Sequence, residues 1–180
     1  MLRQLINLAT PVLLCCSAFT AAAQTPDRPI ICPKCNLRGV AFNSKRMGDK
    51  RFVNSNLANA DLRYADLSNM YMLTTNLRRA DLRGANLSHT FFTASSNFQN
   101  ADLRGANLND VWFTDANLRG ADLRGTNVED ITTLEGADLR GAKVDVDFYA
   151  KVLADQPYGI CLMNTTLPNG DLIQNSCQFR

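Results

Sequence analysis

A five-residue beat runs from Leu37 to Val144 and stands undisguised in four passages: Ala80-Asp81-Leu82-Arg83-Gly84, Ala101-Asp102-Leu103-Arg104-Gly105, Ala121-Asp122-Leu123-Arg124-Gly125 and Ala137-Asp138-Leu139-Arg140-Gly141. A unit this short holds one large apolar residue and cannot bury it alone. Neighbouring units must stack into one continuous core, so the chain is constrained to a solenoid in which each unit touches only its neighbours. The beat fixes architecture and says little about activity.

The motif is a small residue, then Asp or Asn, then Leu, then two variable positions, and it resembles the pentapeptide-repeat family over roughly two thirds of the chain beyond residue 23. The resemblance implies an all-β fold, a right-handed quadrilateral parallel β-helix of about five coils with four pentads to a coil. The central residue of each pentad and the residue two before it point inward. A four-sided coil demands similar central residues about 20 apart, and the sequence supplies them. Face 1 reads Leu37, Leu57, Leu77, Phe98, Leu118, Leu139, and face 2 reads Phe42, Leu62, Leu82, Leu103, Leu123, Val144. Face 3 reads Met47, Leu67, Leu87, Leu108, Val128, and face 4, the bulkiest, reads Phe52, Met72, Phe92, Phe113, Leu134. One extra residue falls between Phe92 and Phe98 and another between Val128 and Leu134, as corner bulges would require. About 22 pentads make a rod roughly 25 Å long at about 4.8 Å per stacked strand.

The segments outside the beat divide the 180 residues further. Residues 1–23 carry one early cation, Arg3, an apolar run from Leu5 to Phe19 and a small-residue end at Ala21-Ala22-Ala23, which reads as a cleaved secretory signal. Export to the periplasm or the cell exterior is expected, with no membrane span after cleavage. Residues 24–36 form a lead-in, 37–146 the β-helix, and 147–180 a C-terminal cap. In the cap, Asp147 is an N-cap candidate for a short helix carrying Phe148, Val152 and Leu153, and Pro168-Asn169-Gly170-Asp171 is a strong turn sequence for a hairpin.

Removal of residues 1–23 takes Cys15 and Cys16 and leaves Cys32, Cys35, Cys161 and Cys177, an even set suited to an oxidising compartment. The rod separates the first two from the last two by more than the roughly 7 Å that a disulfide spans between Cα atoms, which favours local pairing. Cys161 and Cys177 lie symmetrically about Asn169, and the stretch from Cys161 to Cys177 resembles the tail of exported bacterial members of the family, as Cys32-Pro33-Lys34-Cys35 resembles their approach to the first coil. A Cys-x-x-Cys is also a redox motif, so an exported thiol/disulfide enzyme acting through Cys32 and Cys35 is the alternative function.

Otherwise the sequence offers little chemistry. His89 is the lone histidine and falls on an outward corner, no metal-ligand spacing or phosphate loop is present, and no catalytic residue, cofactor or metal is expected. The stacked carboxylates Asp61, Asp81, Asp102 and Asp122 are each followed two residues on by Arg63, Arg83, Arg104 or Arg124, a pattern that predicts an interleaved ion ladder rather than catalytic acids. A milder version places Arg38, Arg78, Arg119 and Arg140 beside Asn36, Asn76, Asn117 and Asp138. The family's DNA-mimicking gyrase inhibition would need a strongly acidic rod, whereas the formal charge here is +2 and the faces are mixed. No nucleic-acid partner is expected. Face 4 differs from the others. There Tyr71, Phe91 and Trp112 stand where Asp or Asn stands elsewhere, with Leu73 alongside, and a column of outward aromatic residues is either covered by the chain's own lead-in or C-terminal cap, or is a contact surface for a protein partner, a second copy in a homodimer, or a stacked ligand such as a sugar. The chain is therefore read as a non-enzymatic interaction or structural module.

Overall fold

The computed structural model describes residues 51–92, 95–128, 133–150, 164–166 and 169–172. Its backbone forms a four-sided parallel β-helix. The bridge Asn56–Asn76 continues through Asn97 and Asn117 to Asp138, and Asp61–Asp81 continues through Asp102 and Asp122 to Lys143. The third column runs Asp66, Asn86, Asn107, Asn127, and the fourth adds Phe91, Trp112 and Thr133 above the one regular parallel pair, β1 (Arg51–Val53) and β2 (Tyr71–Leu73). From Phe52 onward these pairings carry the four faces in the register expected from the central residues, while Leu37, Phe42 and Met47 lie outside the described residues. The register survives both one-residue insertions, since Asn76 pairs with Asn97 and Trp112 with Thr133.

Most described corners are tight turns closed by a backbone bond, as where the Ala85 N–H donates to the Leu82 carbonyl at 3.0 Å. The second turn residue takes a left-handed conformation, which explains why glycine or asparagine recurs there. Gly84 shows the demand most clearly. Its φ is +64°, and a Cβ would fall 2.7 Å from the Tyr64 ring stacked beneath it.

The preference for Asp or Asn before each central residue has a local cause beyond the ion ladder. At twelve positions on faces 1, 2 and 3 the side-chain oxygen accepts the backbone N–H two residues on, at 2.9–3.4 Å. Amide and carboxylate serve equally because the bond needs an acceptor rather than a charge.

Alternating Leu and Ala side chains fill the interior, with Leu62, Leu82, Leu103 and Leu123 fully buried above one another. Behind face 4 the filling is aromatic: Phe92 stacks on Phe113 at 5.3 Å, and Phe98 meets both edge-on at 4.7 and 5.3 Å. At three small positions held by hydroxyl residues the hydroxyl donates to a carbonyl of the preceding coil, from Thr75 to Phe52, Thr90 to Leu67 and Ser96 to Met72, whereas Thr126 donates to the Leu123 carbonyl of its own coil at 2.8 Å. No described buried side-chain nitrogen or oxygen lacks a hydrogen-bond partner.

The beat ends at Val144, and Asp145 ends it. One carboxylate oxygen accepts the Gly125 N–H, which in lower coils is taken by a carbonyl of the next coil, and the other accepts the Phe148 N–H at 2.9 Å. The N-cap of the short helical turn α1 (Val146–Phe148) is thus Asp145, and Asp147, the expected cap, lies in its first turn. The reason is geometric, since only Asp145 stands in extended backbone immediately before the turn. The chain then returns to the rod. Asn164–Thr166 lays a further rung on face 2, Thr166 pairing in parallel with Lys143 while Thr165 is buried and donates to the Leu139 carbonyl at 2.8 Å. An antiparallel bridge joins Thr166 to Leu172 around Asn169. Cys32, Cys35, Cys161 and Cys177 lie outside the described residues, as do the 1–23 segment and the lead-in. No helix among the described residues is long and apolar enough to cross a membrane.

Candidate functional site

On face 4 three successive pentads carry an aromatic residue where the other faces carry Asp or Asn, between Arg51 below and Thr133 above. In-register stacking of the coils places the outward residues of successive rungs directly above one another, so Tyr71, Phe91 and Trp112 meet as a column. Tyr71 and Phe91 lie nearly parallel with centroids 4.9 Å apart, and Trp112 tilts 43° from Phe91 at 5.2 Å. Tyr71 and Trp112 remain 45% and 44% exposed, too much for core residues of this size, while Phe91 between them is half-buried. Leu73 sits half-buried at the corner beside Tyr71. The four residues singled out on this face are therefore contiguous. None of the three rings carries an oxygen that can accept the N–H two residues on, so this face gives up the local bond that the other three keep.

Two polar groups flank the column. The Trp112 indole N–H donates to Asp110 Oδ1 at 3.4 Å, and His89 Nδ1 lies 3.0 Å from Asp110 Oδ2. His89 and Asp110 are one coil apart on the same outward corner, and both side chains stay substantially exposed. This arrangement orients the indole. No cluster of metal-ligating side chains occurs among the described residues.

Face 2, on the opposite side of the coil, carries the ion ladder. Arg63, Arg83, Arg104 and Arg124 each grip the aspartate two residues earlier with Nε at 2.8 Å and Nη2 at 2.6–2.7 Å. Longer contacts of 3.5, 3.6 and 3.9 Å link Arg63, Arg83 and Arg104 to the aspartate of the next coil. The Arg104 hydrogen bonds hold the Asp102 carboxyl below its ordinary range despite some burial. Burial opposes ionisation of Asp122 and Asp138, yet the guanidinium and backbone bonds from Arg124 and Arg140 outweigh it and keep both carboxyls low. Such acids are permanently ionised near neutrality and supply no proton. Among the described residues of face 1 only Arg140 repeats the pair, with Asp138, while Arg78 and Arg119 give their backbone N–H to Asn76 and Asn117.

Sequence reasoning passed over Tyr64, the most exposed aromatic residue described, at 63%. Its signal was positional, because the residue one coil later at that corner is Gly84, which leaves room for the ring.

The family comparison agrees with this geometry. A model of pentapeptide repeats matches in eight copies over residues 35–70, 65–96, 75–111 and 96–130, together more than half of the chain. The chain belongs to the pentapeptide repeat family. The coils of this pentapeptide repeat protein are accordingly those of a right-handed quadrilateral β-helix. Among solved structures it is similar to HetL, a pentapeptide repeat protein involved in heterocyst differentiation regulation from the cyanobacterium Nostoc sp. strain PCC 7120, with 19% identity, 83% of this chain and 70% of HetL covered, and a TM-score of 0.59. Rfr23 from the cyanobacterium Cyanothece 51142 shows 29% identity over 65% of this chain and 88% of its own, with a TM-score of 0.36. Trypsin-treated QnrB1, a plasmid-mediated fluoroquinolone resistance protein, shows 16% identity over 83% and 80%, with a TM-score of 0.46. No curated protein matches the chain. Family membership makes a structural or interaction module the general expectation and leaves the process unspecified.

Proposed function

We propose that this pentapeptide repeat protein is an exported, non-enzymatic interaction module whose contact surface is the column of Tyr71, Phe91 and Trp112, with Leu73 at its edge. The observation that carries this reading is the run of three stacked, partly exposed rings at a position that carries an Asp or Asn acceptor on most rungs of the other faces. Large aromatic side chains kept partly in water on a rigid scaffold are favoured anchors for a protein contact. Ring stacking argues against a sugar platform, because the inner ring faces are already occupied by one another. Export rests on residues 1–23 and the even cysteine set that remains.

In this reading residues 147–180 cap the rod, with disulfides Cys32–Cys35 and Cys161–Cys177. The bridge Thr166–Leu172 is symmetric about Asn169, and so are Cys161 and Cys177, which supports the second pairing.

Trp112→Asp tests the surface. Used as bait beside the wild-type chain, with near-ultraviolet circular dichroism as the folding control, it is expected to lose the proteins that wild type captures from the producing cell's exported fraction. Equal capture by both chains rejects the column as the contact surface. Thiol titration of the exported protein decides between structural cysteines, which leave no free thiol, and a redox pair that cycles under mild reductant.

A further inference from the structure

The outward charge of the rod is sorted by face. Faces 2 and 4 lie on opposite sides of each coil, and every described arginine beyond Arg51 stands at one of the two corners flanking face 2. Neither corner flanking face 4 carries a lysine or arginine among the described residues; those corners carry Asp110, Asp115 and Glu135. Arg51 occurs in register beneath Tyr71, at the foot of the column. The aspartates of face 2 are matched by their own arginines. Arg78, Arg79, Arg119 and Lys143 are exposed and make no salt bridge among the described residues, against Asp145 and Asp147 where the coil ends, so the face 2 side keeps surplus positive charge. Asp115 and Glu135 are likewise exposed without a described salt bridge, so the face 4 side keeps surplus negative charge. Both faces share one repeat because the same stacked coils set both.

We infer that face 2 of one copy docks on face 4 of a second copy, with arginine and lysine side chains reaching Asp115 and Glu135 and arginine stems lying along the outward edges of Tyr71, Phe91 and Trp112. This rests on the reading of the aromatic column as a contact surface and names its occupant. Charge complementarity selects the pairing, since two copies meeting through face 4 alone would bring acidic corners to both sides. Equal rung spacing lets several coils engage at once. The bidentate aspartates already hold the ladder arginines in place, so little side-chain freedom remains to be lost there, and the exposed Tyr64 ring adds apolar surface at the same corner. The contact is heterologous, and each added copy leaves one free face 2 and one free face 4. One face of a rod roughly 25 Å long is small beside the about 1,600 Å² of a standard interface, so the association is expected to be weak and concentration-dependent.

Two full-length exported variants provide the test. Tyr71→Ser/Trp112→Ser disables face 4, and Arg78→Glu/Arg119→Glu disables the face 2 side without removing any described aspartate–arginine salt bridge. By sedimentation velocity the wild type is expected to form a ladder of species that shrinks as salt rises from about 0.05 to about 0.5 M. Each variant alone is expected to be monomeric, and their equimolar mixture to form a species of two chains and nothing larger, because one intact face 2 meets one intact face 4. A monomeric wild type overturns the inference while leaving open a foreign partner for the column, and loss of Trp112-dependent capture would overturn that separately. Self-association of the arginine variant at wild-type strength also overturns it by showing a face 4 to face 4 contact. As a control for misfolding, Asp115→Lys/Glu135→Lys is expected to weaken association at least about tenfold and to recover it when mixed with Arg78→Glu/Arg119→Glu.

Discussion

Faces 2 and 4 share a backbone, a rung spacing and a position in the pentad, yet that position does opposite work on the two sides. On face 2 it is aspartate at every rung from Asp61 to Asp122, which takes a corner N–H and anchors an arginine. On face 4 it is Tyr71, Phe91 and Trp112, which take no such N–H and leave part of each ring in water. Outward residues on face 2 serve the coil. Those on face 4 are released from that duty, and the comparison teaches that a solenoid with redundant corner bonds can give one face to recognition while the others keep the shape.

The largest test of this contrast lies beneath the surface, where both faces must remain structural. Leu103→Ala behind face 2 is expected to cost about 2–5 kcal/mol, and Phe92→Ala behind face 4 about 3–5 kcal/mol, because its ring packs against both Phe98 and Phe113. Urea unfolding measures both. A smaller loss for Phe92→Ala would mean that the inner aromatic cluster is less tightly packed than the leucine column.

An intermediate effect follows from acid. The folded carboxyls of Asp102, Asp122 and Asp138 titrate below the unfolded value of about 3.8, so the unfolded chain takes up these protons first. Their stabilisation is present above about pH 4 and is lost as pH falls through the lowered folded values. Asp102→Asn/Asp122→Asn is expected to keep the corner bonds and flatten the fall in urea midpoint between about pH 4 and about pH 2. An unchanged slope would locate the acid sensitivity elsewhere than face 2.

The smallest expected effect sharpens the contrast most. Trp112→Asp converts a face 4 rung to the face 2 pattern and offers an acceptor to the Thr114 N–H, so stability is expected to stay within about 0.5 kcal/mol of wild type while association is lost. A loss of more than about 1 kcal/mol in urea unfolding would make the ring a structural element and erase the distinction between the faces.

The four columns were legible because Leu, Phe and Ala at fixed spacing have one way to be buried, and the two insertions could be placed because the spacing resumes after each. The aromatic column was legible for the same reason, since register alone sets what stacks on what. The second role of Asp and Asn was present in the sequence but unread. Their interchange at Asn76, Asp81 and Asn86 signals that an oxygen acceptor matters more than a charge. The end of the rod was harder. Nothing periodic distinguishes Asp145 from Asp147, and the choice between them depends on which residue still stands in extended backbone when the coil stops. The pairing of Thr166 with Lys143 joins segments that no repeat relates, so it becomes visible only in three dimensions.

That late rung bears on the order in which the molecule is completed during synthesis. Coils can stack as soon as their neighbours exist, but the upper strand edge at Lys143 receives its parallel partner only when Asn164–Thr166 has emerged, more than twenty residues later. Until then a nascent rod presents an open template to any other nascent rod nearby. The last stretch of chain thus works as a bolt on one face, and the separation between Lys143 and Thr166 sets how long that strand edge waits for its partner.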